Sequence, residues 1–596
     1  INSIYNKRVR SDNVNEKKDM KTCIRPCVLM INECDKRYII FKIFFTLIQG
    51  LLPATFIIIM QKIINLIQKK ADVREILLYT CMYLVLLLLE NINGNIEEFY
   101  TSKFSLKFNN SINLQILEKS TKLELVDYEN PETYDFINRA KSQNGSSILA
   151  YVGDALDVVK QFVMLGSTIA ILINLKWWIV VVVLIFPLIR SLITYAIDKK
   201  WFDIRIKRTK KERKIWYINY LLTAGNAFKE IKLYGVAANL IGKFKKMTGE
   251  IIEQDKKMLK NIFFISLGYD LLELCFSGII LFYTINLGIT GAILIGDVTA
   301  YIDSVEKVKE SAKGIFTGIN NLFEETLYLN LLFEFLNKKI NDDIKGTEIK
   351  EIKKIELKNV SFKYANGKYA LHNINLQLDT GARVAFVGEN GSGKTTLIKL
   401  ILGLYQDYEG DIFINDINLK EISLESYYKK MGCVFQDYVK YEMSIKDNIT
   451  LGVEGGKNQY KKLWNIIEFV DLKKRIEKLG INSTIGNWFG SSDISIGEWQ
   501  RLAIARAFYR EADVYFFDEA DASLDILLQK KLFEIYKGIS KNKILIYISH
   551  KINYVHLIAD YIYVLNKGEI VEEGSHDELI KKEKKYYKLY NECKEE

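Results

Sequence analysis

Gly388-Glu389-Asn390-Gly391-Ser392-Gly393-Lys394-Thr395 fits G-x-x-x-x-G-K-[ST], the pattern of a phosphate-binding loop. The apolar run Val384-Ala385-Phe386-Val387 precedes it, and a helical pattern (Leu397, Ile398, Leu400, Ile401) follows. This strand–loop–helix context is what the motif requires. Glycines let successive backbone N–H groups turn toward phosphate oxygens, and the helix N-terminus adds a favourable dipole. The pattern predicts that Gly388, Asn390, Gly391, Ser392, Gly393, Lys394, Thr395 and Thr396 surround a bound nucleotide. Lys394 would reach its β- and γ-phosphates, and Thr395 would hold Mg²⁺.

Around the loop, residues from Lys350 onward alternate strands and helices. Val360-Ser361-Phe362-Lys363-Tyr364 alternates like a strand, and the Tyr364 ring could stack on a base. Val514-Tyr515-Phe516-Phe517 is an apolar strand that ends in Asp518 and Glu519. Asp518 suits a magnesium shell, which takes hard oxygen ligands, and Glu519 suits polarising a water. His550 follows a further apolar strand, Ile544 to Ile548, where it could hydrogen-bond a γ-phosphate. Taken singly, Tyr364 reads as an ordinary strand residue and His550 as a structural one.

The first half of the chain is different. Six stretches are near the ~20 residues that a helix needs to cross a bilayer: 38–64, 76–96, 152–175, 177–197, 262–287 and 297–322. The formal charge of +10 is unevenly placed, with 17 Lys and Arg between Lys199 and Lys260. A nucleic-acid patch would look like this. Flanked by apolar spans, the run reads instead as a cytoplasmic loop under the positive-inside rule. The loop after the second span is also basic (Lys103, Lys107, Lys119, Lys122, Arg139, Lys141), whereas the short loops after the third and fifth are not. The long loops and both ends are therefore expected in the cytoplasm. The first outer loop, with Lys69, Lys70 and Arg74, departs from this pattern. The sixth span carries Asp303, Glu306, Lys307, Lys309, Glu310 and Lys313. Either these line a polar pathway, with Asp303 the best candidate, or the helix runs on into water. Seven cysteines show no paired metal spacing and are expected to be free thiols. The polar, basic first 37 residues do not read as a cleavable signal.

The ordered set of motifs resembles the ATP-binding cassette (ABC) transporters. Besides the phosphate loop it includes Gln436 in Val434-Phe435-Gln436-Asp437, the run Ile494-Ser495-Ile496-Gly497-Glu498-Trp499-Gln500-Arg501, Ser523-Leu524-Asp525 and Ser549-His550. The resemblance implies a catalytic set of Glu519, His550, Gln436 and Lys394. It implies adenine stacking by Tyr364, and Mg²⁺ held by Thr395, Gln436 and Asp518. It also implies that Ser495 and Gly497 meet the γ-phosphate of an ATP held by a partner subunit. The family's usual Leu-Ser-Gly-Gly-Gln is here Ile-Ser-Ile-Gly-Glu. Ile496 adds bulk and Glu498 adds charge near an anion, so closure is expected to be weakened rather than abolished. Ala522-Ser523 likewise stands where the family usually has Ser-Ala.

The fold class implied is multidomain: an all-α six-helix transmembrane domain followed by an α/β P-loop nucleotide-binding domain. The expected boundaries are 1–37 for an N-terminal cytoplasmic segment and elbow helix, 38–335 for the membrane domain, 336–349 for a linker and 350–596 for the nucleotide domain. Tyr128–Asp135 and Glu230–Gly235 resemble the two coupling helices, which in the family dock on nucleotide domains. ATP and Mg²⁺ are the expected cofactors. A second copy of the chain (with a heterodimer as the alternative), a lipid bilayer and an exported substrate such as a peptide are the expected partners, with no nucleic acid. The Gly-Glu-Trp-Gln-Arg run is similar to that of some bacterial exporters of modified peptides. Drugs or lipids are the alternative cargo. A soluble cassette protein and an ATP-gated channel or regulator are readings from other classes; six apolar spans oppose the first, and the altered signature keeps the second open.

Overall fold

A computed structural model of the chain describes residues 20–129, 145–174, 176–223, 225–338, 346–364, 367–451, 453, 459–487, 493–519, 534, 538, 542–549 and 552–595. These fall into two compact units. The first holds residues within Ile1–Thr121 and Asp135–Lys338, and the second those within Lys122–Tyr134 and Lys339–Glu596.

The first unit is all helix. A short helix α1 (Met20–Cys34) leads into α2 (Lys36–Gln68) and α3 (Val73–Thr121). The short helix α4 (Leu125–Glu129) belongs to the second unit. Then come α5 (Gly145–Ile173), α6 (Trp177–Thr223), α7 (Phe228–Leu233), α8 (Ala237–Ile289) and α9 (Ile295–Asn337). Each expected span falls in a different one of the six long helices, the third only as far as Ile173. Helices of 47 to 53 residues such as α6 and α8 far exceed the ~20 residues that cross a bilayer, so their inner ends extend beyond the hydrocarbon.

By length and composition, four of the described helices can cross a membrane: α2, α3, α5 and α8. Helix α6 contributes a shorter apolar stretch, Trp177–Ile193. Helix α9 falls short because of its ionisable residues, and packing makes up for this. Ala300, Tyr301, Val305, Val308, Ala312 and Ile315 give it a buried apolar face, while Asp303 and Glu306 are exposed on the other. Gly314 and Gly318 let α9 approach α5. A Cβ at Gly314 would lie 2.8 Å from Gln161 Cδ, and one at Gly318 2.5 Å from Val158 Cγ2. Small residues four apart are the usual means of such contact between membrane helices. At the outer end, Asp297 Oδ1 accepts from Gln61 Nε2 at 2.7 Å and Asn65 Nδ2 at 2.8 Å, tying α9 to α2. The basic run is knit together across α6 and α8, where Arg208 pairs with Asp255 at 2.7 Å and Lys211 pairs with Glu250. Among the described residues, six cysteines are free.

The second unit is built on two sheets. The four-stranded antiparallel sheet runs in the order β2 (Tyr369–Asp379), β1 (Lys354–Lys363), β4 (Glu409–Ile414), β5 (Ile417–Asn418). The six-stranded sheet runs β10 (Glu569–Gly574), β9 (Tyr561–Asn566), β3 (Arg383–Val387), β8 (Ile544–Ile548), β7 (Val514–Asp518), β6 (Met431–Val434). All its neighbours are parallel except β10, which is antiparallel to β9. Strands β7 and β8 are buried at every position, which is why they read as unbroken apolar runs rather than alternating ones. Helix α10 (Lys394–Ile401) follows β3, and α15 (Ile496–Tyr509) packs Leu502, Ala503, Ala505 and Phe508 into the core beside β7. Between them in sequence lie α11 (Leu424–Tyr428), α12 (Ile445–Thr450), α13 (Gln459–Phe469) and α14 (Lys473–Leu479). The expected boundaries place residue 125 in the membrane domain, yet α4 goes with the nucleotide domain. The physical reason is that Leu125 and Val126 pack on its apolar core.

Candidate nucleotide site

In a parallel sheet, loops at the strands' carboxyl ends share one edge, and ligands bind there. Register places the motifs in that row. Ala385 pairs with Tyr547, Tyr547 with Phe517 and Phe517 with Val434. Two residues further along each strand come Val387, Ser549, Glu519 and Gln436. Residues far apart in sequence are thus neighbours because β8 inserts between β3 and β7.

The phosphate loop has the shape that its sequence predicts. Gly393 adopts φ +106°, and a Cβ there would meet Leu371 Cδ2 at 2.7 Å and Ala370 O at 2.9 Å, so only glycine fits. Lys394 is buried, and its Nζ donates to Gly388 O at 2.8 Å and Glu389 O at 3.0 Å. Burial lowers the Lys394 pKa below the usual lysine value, opposed by the nearby Glu519 and Asp518 carboxylates. The Ser392 Oγ is buried with no hydrogen-bond partner among the described residues. A cation turned onto its own loop, an unsatisfied hydroxyl and a glycine-only cradle together fit an anion such as a nucleotide's phosphates. Gly388 and Gly391 also have positive φ, and Asn390 lies between them in the loop. Thr395 Oγ1 donates to Asp518 Oδ2 at 3.2 Å. Adjacent hydroxyl and carboxylate oxygens suit a magnesium ion that draws its remaining ligands from phosphates and water. No group of three or more His, Cys, Asp or Glu side chains forms a metal cage among the described residues.

Glu519 follows Asp518 in a left-handed backbone conformation, φ +51°, with its N–H donating to Ile548 O at 3.0 Å. Its Oε2 accepts from Gln436 Nε2 at 2.8 Å. The structure thus brings together Lys394, Thr395, Asp518, Glu519 and Gln436. Tyr364, at the end of β1, donates to or accepts from Thr396 Oγ1 at 2.8 Å. Its ring meets Phe362 and Tyr405 edge to face. His550 and Ser523-Leu524-Asp525 lie outside the described residues; Ser549, just before His550, is buried at the end of β8.

Ser495 is the N-cap of α15, with Gly497 in its first turn. Two features of this helix escape a reading of the motifs alone. Gln500 is buried, 3 % exposed, and its Nε2 donates to Glu519 O at 3.4 Å. Glu498 closes a capping box with Ser495 and pairs with Arg475 at 3.2 Å. The spacing Ser-x-x-Glu ahead of an apolar run is itself the signal for that box.

Over 544 residues the chain is 37% identical to the subtilin transport ATP-binding protein of Bacillus subtilis, a match that covers 90% of this chain and 88% of that protein. Residues 39–305 match the ABC transporter transmembrane region, and residues 371–522 match the ABC transporter family proper. The chain belongs to the ABC transporters. The nisin transport ATP-binding protein of Lactococcus lactis subsp. lactis is 30% identical over 569 residues, 94% of each chain. A solved bacterial Atm1-family ABC exporter with ATP bound shares the fold, with TM-score 0.79 over 94% of this chain and 98% of that one at 18% identity. This ABC transporter is accordingly a membrane protein with an ATP-binding, ATP-hydrolysing domain on the cytoplasmic side.

Proposed function

We propose that two copies of this ABC transporter form an ATP-driven exporter in a bacterial cytoplasmic membrane, moving a modified peptide out of the cell. What carries the reading is that relatives aligned over nine-tenths of the chain are named for transport of subtilin and nisin. One chain has one phosphate loop and one signature helix. A two-fold pair would set each Ser495 and Gly497 against the partner's phosphate loop, the simplest closed arrangement. Exposed Phe228, Leu233 and Tyr234, in and beside α7, are apolar groups that a second copy would cover. In the basic run the Arg208–Asp255 and Lys211–Glu250 pairs neutralise part of the charge, which argues against a nucleic-acid partner.

In this mechanism, Tyr364 stacks on the adenine and the loop N–H groups hold the phosphates. Lys394 swings from Gly388 O and Glu389 O to a phosphate oxygen. Thr395, Asp518 and Gln436 would hold Mg²⁺, which offsets phosphate charge when bound. Glu519 orients the attacking water and takes its proton, and His550 supports the γ-phosphate. Gln436 already grips Glu519, so movement of the Gln436 loop would reset the base. ATP favours the closed pair by binding it better than the open one.

The test is ATPase activity in nanodiscs with and without subtilin or nisin, beside Glu519→Gln. Peptide-stimulated turnover that disappears in Glu519→Gln is the expected result. Turnover stimulated by lipid or hydrophobic dyes but by neither peptide would overturn the peptide assignment. ATP binding with no turnover in the unsubstituted protein would overturn the self-sufficient homodimer.

A further inference from the structure

Ionised side chains inside a bilayer are costly and face a partner or a wet cavity rather than lipid. Three helices of the first unit bring four of them together. Arg190 of α6 pairs with Asp270 of α8 at 2.7 Å. One turn along α8, Glu273 lies 3.5 Å from Lys309 of α9, whose Nζ donates to Ser277 Oγ at 2.9 Å. All four fall within the expected spans. Counted from the outer ends of their helices (Trp177, Ile289, Ile295), they lie about 20 to 28 Å deep at ~1.5 Å per residue. These depths cover the inner third of a ~30 Å hydrocarbon core, with Asp270 nearest its inner edge.

The cluster is not a closed set of pins. The Asp270 side chain is 54% exposed in the single chain, against 28% for Arg190. An open carboxylate at this depth has to face water, a cargo or a second subunit. The Lys309–Glu273 approach is long for a charge-assisted hydrogen bond, so Lys309 is shared loosely between a hydroxyl and a carboxylate. Beside them Arg190 sits over the Tyr269 ring, 5.4 Å from its centroid. The Tyr269 side chain is 8% exposed, and its buried hydroxyl has no hydrogen-bond partner among the described residues. A buried hydroxyl without a partner costs free energy, so the Tyr269 hydroxyl is available to a further polar group.

We propose that Arg190, Asp270, Glu273 and Lys309, with Tyr269, form a charged subsite of the transport pathway that takes the ammonium and carboxylate groups of a peptide cargo. The proposal rests on the peptide export put forward above. A cargo carboxylate would exchange into Arg190 or Lys309, and a cargo ammonium into Asp270 or Glu273. When the cargo supplies both groups, a carboxylate on the cation and an ammonium on its released partner turn one ion pair into two, so no charge is stranded at membrane depth.

The test uses the full chain in nanodiscs and two probes. One is a synthetic amphipathic peptide carrying lysines and glutamates. The other is its analogue with every charge replaced by glutamine and both termini blocked. Binding is read by thermophoresis and by ATPase stimulation. In the combined Asp270→Asn, Glu273→Gln variant, half-saturation by the charged peptide should rise about tenfold or more, while the neutral analogue shifts less than about twofold. The exchanged pair Glu273→Lys, Lys309→Glu keeps both charges and should retain the preference for the charged peptide. If the neutralised variant does not assemble, Lys309→Gln is read in the same way. Equal shifts for both peptides, or none, would reduce the cluster to structural pins. Failure of the unsubstituted protein to bind either peptide would remove the peptide reading itself, and this subsite with it.

Discussion

Ser495 and Glu498 cap each other at the head of α15. Ser495 Oγ accepts from the Glu498 N–H at 3.2 Å, and Glu498 Oε2 accepts from the Ser495 N–H at 2.7 Å. The other carboxylate oxygen pairs with Arg475 at 3.2 Å, and Glu498 is only 16% exposed. The charge that sets this signature apart from the usual glutamine is therefore committed within its own chain. Glutamine can close the same box without the charge. Glu498→Gln should leave thermal stability within about 1 kcal/mol and lower the ATP concentration for half-maximal turnover by a few fold. Glu498→Ala opens the box and should cost about 1 kcal/mol of stability. ATP titrations of turnover beside thermal melts separate the two. An unchanged half-saturation in Glu498→Gln would mean that Arg475 already silences the charge.

Gln500 reaches the proposed catalytic glutamate from the other side, donating to the carbonyl of Glu519 rather than to its carboxylate. It acts as a positioning residue for a backbone held at φ +51°. Gln500→Leu should lower kcat about tenfold with little change in the KM for ATP, because ground-state binding belongs to the phosphate loop. A parallel rise in KM would show that the helix, not the Glu519 turn, had been disturbed.

Lys394 gives the site a pH signature. Burial lowers its pKa, and a phosphate bound against it, as proposed, would restore the charged form. Binding therefore takes up protons at pH values between the lowered pKa and the higher one of the complex. ATP affinity should be full below the lowered pKa and decline as pH rises through that window. Calorimetry in two buffers of different ionisation enthalpy measures the uptake. Proton release on binding in the alkaline range would contradict this account.

Much of the nucleotide site is legible along the chain because each motif is a local strand-to-loop transition. Val384 to Ile401 and Val514 to Glu519 declare themselves by an apolar run that stops at a functional group. Adjacency is not local. Gln436 meets Glu519 because β6 and β7 pair in parallel, and parallel neighbours arrive by crossovers that leave no mark on either strand. Gln500 looks like an ordinary polar position on an amphipathic helix until burial singles it out. In the membrane domain, an apolar average hides Arg190, Asp270 and Glu273, while the denser charges of α9 draw the eye to Asp303. Only packing shows which of these meet.

Gly314 and Gly318 set the distance between α5 and α9. Gly318→Leu drives a side chain into Val158, where a Cβ alone would already lie 2.5 Å from Cγ2. The expected cost is about 1–3 kcal/mol, read as a lower melting midpoint in detergent. Gly278, in α8, has nothing within 4 Å of its would-be Cβ, so Gly278→Ala should leave the midpoint near that of the unsubstituted protein.

Glu129 ties α4 to the nucleotide domain with which that helix packs. Its Oε2 accepts from Tyr405 OH at 2.8 Å, and its Oε1 accepts from Lys399 Nζ at 3.0 Å. Burial first, and then the hydrogen bond to Glu129, push the Tyr405 phenol up, so it remains a donor throughout the working pH range. Tyr405 also touches the Tyr364 ring edge to face. One side chain thus links the proposed adenine platform to a helix that continues the chain from α3. Tyr405→Phe keeps the ring and removes the donor. It should leave basal ATP turnover within about twofold while reducing stimulation by a transported peptide, since the lost group transmits rather than reacts. Glu129→Gln should have a smaller effect, because the amide oxygen can still accept from Tyr405 and only the Lys399 pair is weakened. If the two variants lower basal and stimulated turnover in equal proportion, Tyr405 supports the nucleotide domain itself and the link to α4 carries no signal.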